Sequence, residues 1–150
     1  NYCEIERQPE EKAAVLAVCE KLMRHELFVT NEVANPFGYA RQFVQHGDGS
    51  KTTQFFYPHD VETAPWWQGE NARIASLATA ARSLSHYTQD AALAAALRKY
   101  ADDQINWVLG LNPFDSCMLE GEGRNNIDYC PGGSVNGITS GLHDEHGIAY

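Results

Sequence analysis

Apolar residues between Pro9 and Phe28 recur at helical spacing. Val15, Leu16, Val18, Cys19, Leu22, Met23 and Leu27 fall near one stripe, and Glu11, Lys12, Glu20, Lys21 and Arg24 lie off it. The pattern predicts a first helix over that stretch, opened by Pro9 and by the acids Glu10 and Glu11, which complement the positive end of a helix dipole. A second helix is predicted from Glu70 to His86, with Ile74, Leu77, Ala78, Ala81 and Leu84 on its stripe. A third runs from Ala91 to Leu109, started by Asp90 and stopped by Gly110, with Leu93, Leu97, Tyr100, Ala101, Ile105 and Val108 facing inward. Eleven alanines between Ala72 and Ala101 allow close backbone approach, so the second and third helices should form an antiparallel hairpin.

Elsewhere the period dissolves. From Val29 to Gln68 the chain is punctuated by Asn35-Pro36, Gly38, Gly47-Asp48-Gly49, Pro58 and Pro65 and is dense in aromatics, with a short strand expected around Thr52 to Tyr57. The stretch from Gly110 to Tyr150 holds eight of the twelve glycines and reads as a long loop region. If the three helices alternate in direction, both long loop regions meet at one end of the bundle, and the other end receives only the turn at His86 to Asp90. Loops of this length inside a compact domain are usually functional or disordered, and these are too aromatic for disorder.

Charge narrows the field. Twenty acidic against eleven basic residues give a net charge of −9, the wrong sign for a protein that neutralises nucleic-acid phosphates. No stretch approaches the ~20 uninterrupted apolar residues of a membrane span. Neither nucleic acid nor membrane is an expected partner. Cys3, Cys19, Cys117 and Cys130 lack paired metal-site spacing and read as thiols, a Cys117–Cys130 disulfide being the alternative; the compartment stays open.

Three groups of residues carry candidate chemistry. Trp66-Trp67-Gln68-Gly69-Glu70-Asn71, with His59 and Asp60 just before, pairs aromatic rings with hydrogen-bonding side chains, the equipment for stacking on a sugar face and holding its hydroxyls; the plainer reading buries both tryptophans and leaves Glu70 to complement a helix N-terminus. Glu120 and Glu122, with Arg124 and Asn125, sit in a Gly-rich loop that lets backbone approach a ligand, but residues two apart there need not form a catalytic pair. His143-Asp144-Glu145-His146 does not have zinc-site spacing, and Gly47 to Thr52 lacks the glycine before lysine that a phosphate loop needs. No metal and no cofactor is expected. His25 and His86 read as surface or boundary residues.

Taken together, Ala34 to Arg41, Tyr57-Pro58-His59-Asp60, Trp66 to Arg73, Trp107 to Phe114 with its Leu109-Gly110-Leu111-Asn112-Pro113 core, Gly121 to Asn126 and Gly132 to Gly141 resemble the C-terminal part of glycoside hydrolase family 9. The double tryptophan is similar to the exo-acting bacterial branch, which includes cellobiase and glucosaminidase-like members. The resemblance implies an all-α fold, part of an (α/α)6 barrel, and inverting hydrolysis of β-linked gluco- or glucosamino-oligosaccharides. It implies substrate contacts at His59, Asp60, Trp66, Trp67, Glu70, Arg124 and Asn125. The early Asp-Ala-Gly-Asp type motif that supplies the base in that family is absent, and the family's acid lies in a segment that cannot be placed here. Three long helices do not close a twelve-helix barrel. The expectation is therefore a fragment that contributes a substrate cleft, completed by the remainder of its own catalytic domain and inactive alone. The rivals are another six-hairpin carbohydrate enzyme, such as one acting on uronic acids, and a non-catalytic carbohydrate-binding or interaction module.

Overall fold

The computed structural model describes residues 2–56, 70–119 and 122–125. Four helices and a two-stranded hairpin follow in the order α1 (Tyr2–Ile5), α2 (Pro9–Asn31), β1 (Gln42–Gln45), β2 (Lys51–Gln54), α3 (Glu70–Tyr87) and α4 (Ala91–Val108). The described residues are 58% helical, so the fold is mostly α. All three expected helices are present. α2 runs three residues beyond Phe28, and the other two end within one residue of expectation.

α4 shows why these boundaries were legible. Asp90 caps it, its carboxylate accepting from the backbone N–H of Ala92 at 2.9 Å and Leu93 at 3.0 Å, which satisfies two donors the helix itself leaves open. At the far end Gly110 adopts φ +111°, and its N–H reaches the Trp107 carbonyl at 3.2 Å. A side chain there would press on the backbone of Ser116 and Cys117, so glycine is required twice over.

The core lies between α3 and α4. Ile74, Ala78, Ala81 and Leu84 of α3 pack against Leu93, Ala94, Leu97, Tyr100 and Ala101 of α4, with alanine at the contact as the composition predicted. α2 lies across the hairpin through Met23, with Leu16, Cys19 and Leu27 half-buried beside it. Two residues of its expected stripe do not join. Val18 and Leu22, one turn apart, remain 58% and 63% exposed, because the helix offers apolar residues on two faces and the hairpin covers one. On α4, Ile105 is likewise exposed, and Trp107 takes the inward position instead.

The expected strand is β2, which ends at Gln54 and pairs antiparallel with β1, a strand the sequence did not announce. Its turn is local chemistry: Asp48 accepts from the Ser50 N–H at 2.9 Å, and Gly49 takes φ +83°. Of Gly47 to Thr52, residues 47–50 thus form the hairpin turn and Lys51 and Thr52 open β2. His25 and His86 are both on the surface. Among the described helices none is long and apolar enough to cross a membrane.

Candidate functional site

The C-terminal end of α2, the N-terminus of α3 and the C-terminal half of α4 meet, as alternating helix direction requires. The segment from Asn35 to Arg41 joins them. Asn35 turns the chain, its amide donating to the Thr30 carbonyl at 3.0 Å and the Tyr39 carbonyl at 2.9 Å. Gly38 follows at φ +62°, where a Cβ would collide with the Asp103 carboxylate.

Gln104 on α4 then clamps this segment. The side chain is wholly buried; its amide oxygen accepts from the Ala40 N–H at 2.8 Å and its nitrogen donates to the Gly38 carbonyl at 2.7 Å. A buried amide with both ends satisfied by the main chain fixes that main chain against the helix.

Glu70, the first residue of α3, is buried. Both of its oxygens are engaged by Arg73, whose Nε and Nη2 donate at 2.7 Å each, and the Tyr39 hydroxyl donates to the same carboxylate. Arg73 also donates to the Ala40 carbonyl at 3.1 Å, so one guanidinium ties α3 to the connecting segment. Burial works against the charge on Arg73, but the hydrogen bonds and charge of Glu70 more than offset it and hold the guanidinium proton above its ordinary range. Lower in the bundle Tyr100 of α4 donates to Glu26 of α2 at 2.9 Å, and burial followed by the Glu26 charge pushes that phenol well up.

The Tyr39 ring stacks on Trp107 with centroids 3.9 Å apart and 8° between planes, and on Phe55 at 5.9 Å and 9°. Phe37 and Phe114 meet Trp107 edge-on at 6.2 and 6.4 Å. This aromatic cluster is the floor of the converging end. Arg41 closes one side, bonding the Val29 carbonyl at 2.8 Å, the Thr53 carbonyl at 2.5 Å and the Glu32 carboxylate at 2.5 Å.

Beyond α4, Asn112 builds the last wall. Its amide nitrogen donates to the carbonyls of Trp107 and Ser116 at 2.8 Å each, and its oxygen accepts from the N–H of Phe114 at 3.0 Å. Arg124 pairs with Asp115 on the surface, and Asn125 donates to the Asp115 carbonyl at 2.8 Å.

Of the seven residues expected to touch substrate, Glu70, Arg124 and Asn125 are described, and His59, Asp60, Trp66 and Trp67 lie outside the described residues. Glu70 sits inside the converging end, and it also opens α3, as the plainer reading had it. Arg124 and Asn125 stand on the exposed loop beyond α4. Sequence reasoning passed over Tyr39, Trp107 and Gln104. The signal was present in part: a Gln on the inward stripe of α4 is a polar residue where a core position belongs, and such a residue must find partners. Of Glu120 and Glu122, only Glu122 is described, and it is exposed. No group of three or more His, Cys, Asp or Glu residues suited to a metal occurs among the described residues. The Cys117–Cys130 alternative and the His143 to His146 segment involve residues outside the described ones. Compared with known proteins, the chain matches no family model and no curated protein.

Proposed function

We propose that the chain is a segment of a glycoside hydrolase of the family 9 type, contributing the substrate cleft of an (α/α)6 barrel for inverting hydrolysis of β-linked gluco- or glucosamino-oligosaccharides. The observation that carries this reading is the joining of three helix ends by Asn35 to Arg41, with a buried acid, its half-buried arginine partner and a cluster of five aromatic rings at that one end. Sugar sites combine apolar ring faces with a few fixed polar groups.

In this reading Trp66 and Trp67 stack on sugar, His59 and Asp60 hold hydroxyls, and Arg124 with Asn125 forms the polar wall; Glu70, expected to touch substrate, is buried and instead fixes Tyr39 and Arg73 beneath the cleft. Glu70 accepts three hydrogen bonds from Tyr39 and Arg73, so its carboxylate is committed to holding those two side chains in place. The acid and base come from the remainder of the catalytic domain. The second apolar face of α2, marked by Val18 and Leu22, supports a helical neighbour of that kind, since a helix apolar on two sides is ordinarily covered on both. A uronic-acid enzyme is disfavoured, because Arg41, Arg73 and Arg124 are each already paired with a carboxylate.

The test is sugar release from cello- and chito-oligosaccharides by the longest form of the protein, with the anomer of the first product followed by NMR. Release with inversion supports the reading. Saccharide binding without release replaces it with a non-catalytic binding segment, and neither binding nor release removes it.

A further inference from the structure

We infer that Arg73 is a substrate-binding residue that donates from Nη1 to a neutral sugar oxygen; this rests on the carbohydrate reading above and adds a contact that reading does not make.

A guanidinium carries five N–H groups, one on Nε and two on each terminal nitrogen. Arg73 spends three of them on the protein. Its Nε donates to Glu70 Oε2 at 2.7 Å, and its Nη2 donates to Glu70 Oε1 at 2.7 Å and to the Ala40 carbonyl at 3.1 Å. The two N–H groups left over therefore both belong to Nη1. That nitrogen has no partner among the described residues, and it is not one of the polar atoms that the fold buries unpartnered. The side chain is 28% exposed, and Nη1 faces solvent.

The other six arginines do not combine these features. Arg7, Arg24, Arg82, Arg98 and Arg124 are exposed, and a long side chain standing in water must give up rotamer freedom to hold a ligand. Arg41 is buried, and both its terminal nitrogens donate to protein, Nη1 to the Val29 carbonyl and Glu32 and Nη2 to the Thr53 carbonyl. Arg73 is fixed on two sides before any ligand arrives and keeps one nitrogen free. It sits in the first turn of α3, against the Asn35 to Arg41 segment, where the helix ends converge. A donor set in place in advance costs little ordering on binding.

The surroundings select what Nη1 binds. The Glu70 carboxylate already balances the Arg73 charge, and the Glu26 charge acts on the same guanidinium. An anion arriving at Nη1 thus meets the field of two acids rather than an unopposed cation. An ammonium group has no lone pair to offer a donor. What fits is a neutral acceptor, the hydroxyl oxygen of a sugar or the carbonyl of an N-acetyl group.

The experiment is an NMR titration of arginine-labelled protein with cellotriose, chitotriose and the uronate counterpart of cellotriose, following the Arg73 side-chain signals, with calorimetry of the same titrations. Arg73→Lys, which keeps a cation opposite Glu70 and loses the free fork, is titrated beside it and its melting temperature taken. A saturable shift at Nη1, larger than at Nε and following the calorimetric binding curve of a neutral trisaccharide, supports the contact. So does binding about tenfold weaker in Arg73→Lys at an unchanged melting temperature, as expected for one lost hydrogen bond from a charged donor. Neutral trisaccharide bound with the Nη1 signals unmoved overturns the contact and leaves the carbohydrate reading standing; Arg73 is then purely structural, whatever the affinity of Arg73→Lys. Unchanged affinity in Arg73→Lys also overturns it. A larger Nη1 shift with the uronate overturns the neutral acceptor. Absence of saccharide binding by the unaltered protein removes the carbohydrate reading itself, and the contact with it.

Discussion

At one end of the α3–α4 hairpin, Thr88, Gln89 and Asp90 turn the chain, and the polar groups that hold the turn stand largely in water. Asp90 caps α4 and meets Arg24 of α2 at 2.7 Å, with both side chains two-fifths or more exposed. At the other end most of the joining groups are buried: Glu70, Tyr39 and Gln104 have almost no contact with solvent, and Arg73 is half-buried. The difference is energetic as well as spatial. Exposed ion pairs contribute little and can open, whereas a buried pair that loses a partner leaves a charge with no compensation. The closing turn therefore needs only to connect two helices, and the converging end is committed to one arrangement of backbone and rings. Fixed polar groups beside aromatic faces are what a recognition site requires.

Substitutions at the two ends should separate them sharply. The largest effect is expected for Glu70→Ala, which takes the carboxylate from half-buried Arg73 and from the buried Tyr39 and should cost about 2 to 3 kcal/mol in urea denaturation. Gln104→Ala comes next. It leaves the Ala40 N–H and the Gly38 carbonyl unpaired, at about 1 to 3 kcal/mol, and should speed amide exchange from Gly38 to Arg41 without affecting Thr88 to Asp90. Gly38→Ala forces φ +62° on a residue with a Cβ and displaces the Asp103 side chain, for about 1 to 2 kcal/mol by the same denaturation assay.

Asp90→Ala should be the mildest of these changes, seen as faster amide exchange at Ala92 and Leu93. Its pH dependence has a definite sign. The Arg24 hydrogen bond, then the N–H groups of Leu93 and Ala92, hold the Asp90 carboxyl below its ordinary value. A group depressed in the folded state contributes stability above its unfolded value of about 3.9 and loses it as pH falls through the folded value. Protection at Ala92 and Leu93 should thus persist at neutral pH and fade below about pH 4. Equal sensitivity of the two ends to these four changes would abolish the distinction.

The same contrast explains what the sequence could reveal. Asp90, Gly110 and the alanine stripe act through their own helices, and local rules found the boundaries of α3 and α4 within one residue. Val18, Leu22 and Ile105 were assigned to the core on periodicity alone, which cannot say which of two apolar faces is covered. Tyr39 meets Glu70 across 31 residues of sequence and Trp107 across 68, and Gln104 meets Gly38 across 66. No local pattern encodes a partner at that distance. Glu70 was singled out for its chemistry, and its three donors became evident only once α3 and the Asn35 to Arg41 segment were side by side.

Whether the converging end is a carbohydrate site is tested most directly by titrating isotope-labelled protein with cello- and chito-oligosaccharides and following backbone amide shifts. The account predicts saturable shifts at residues 35–41, 70–73 and 112–125, with residues 20–24 and 87–90 unmoved. Shifts centred on the closing turn, or none at either end, would contradict it.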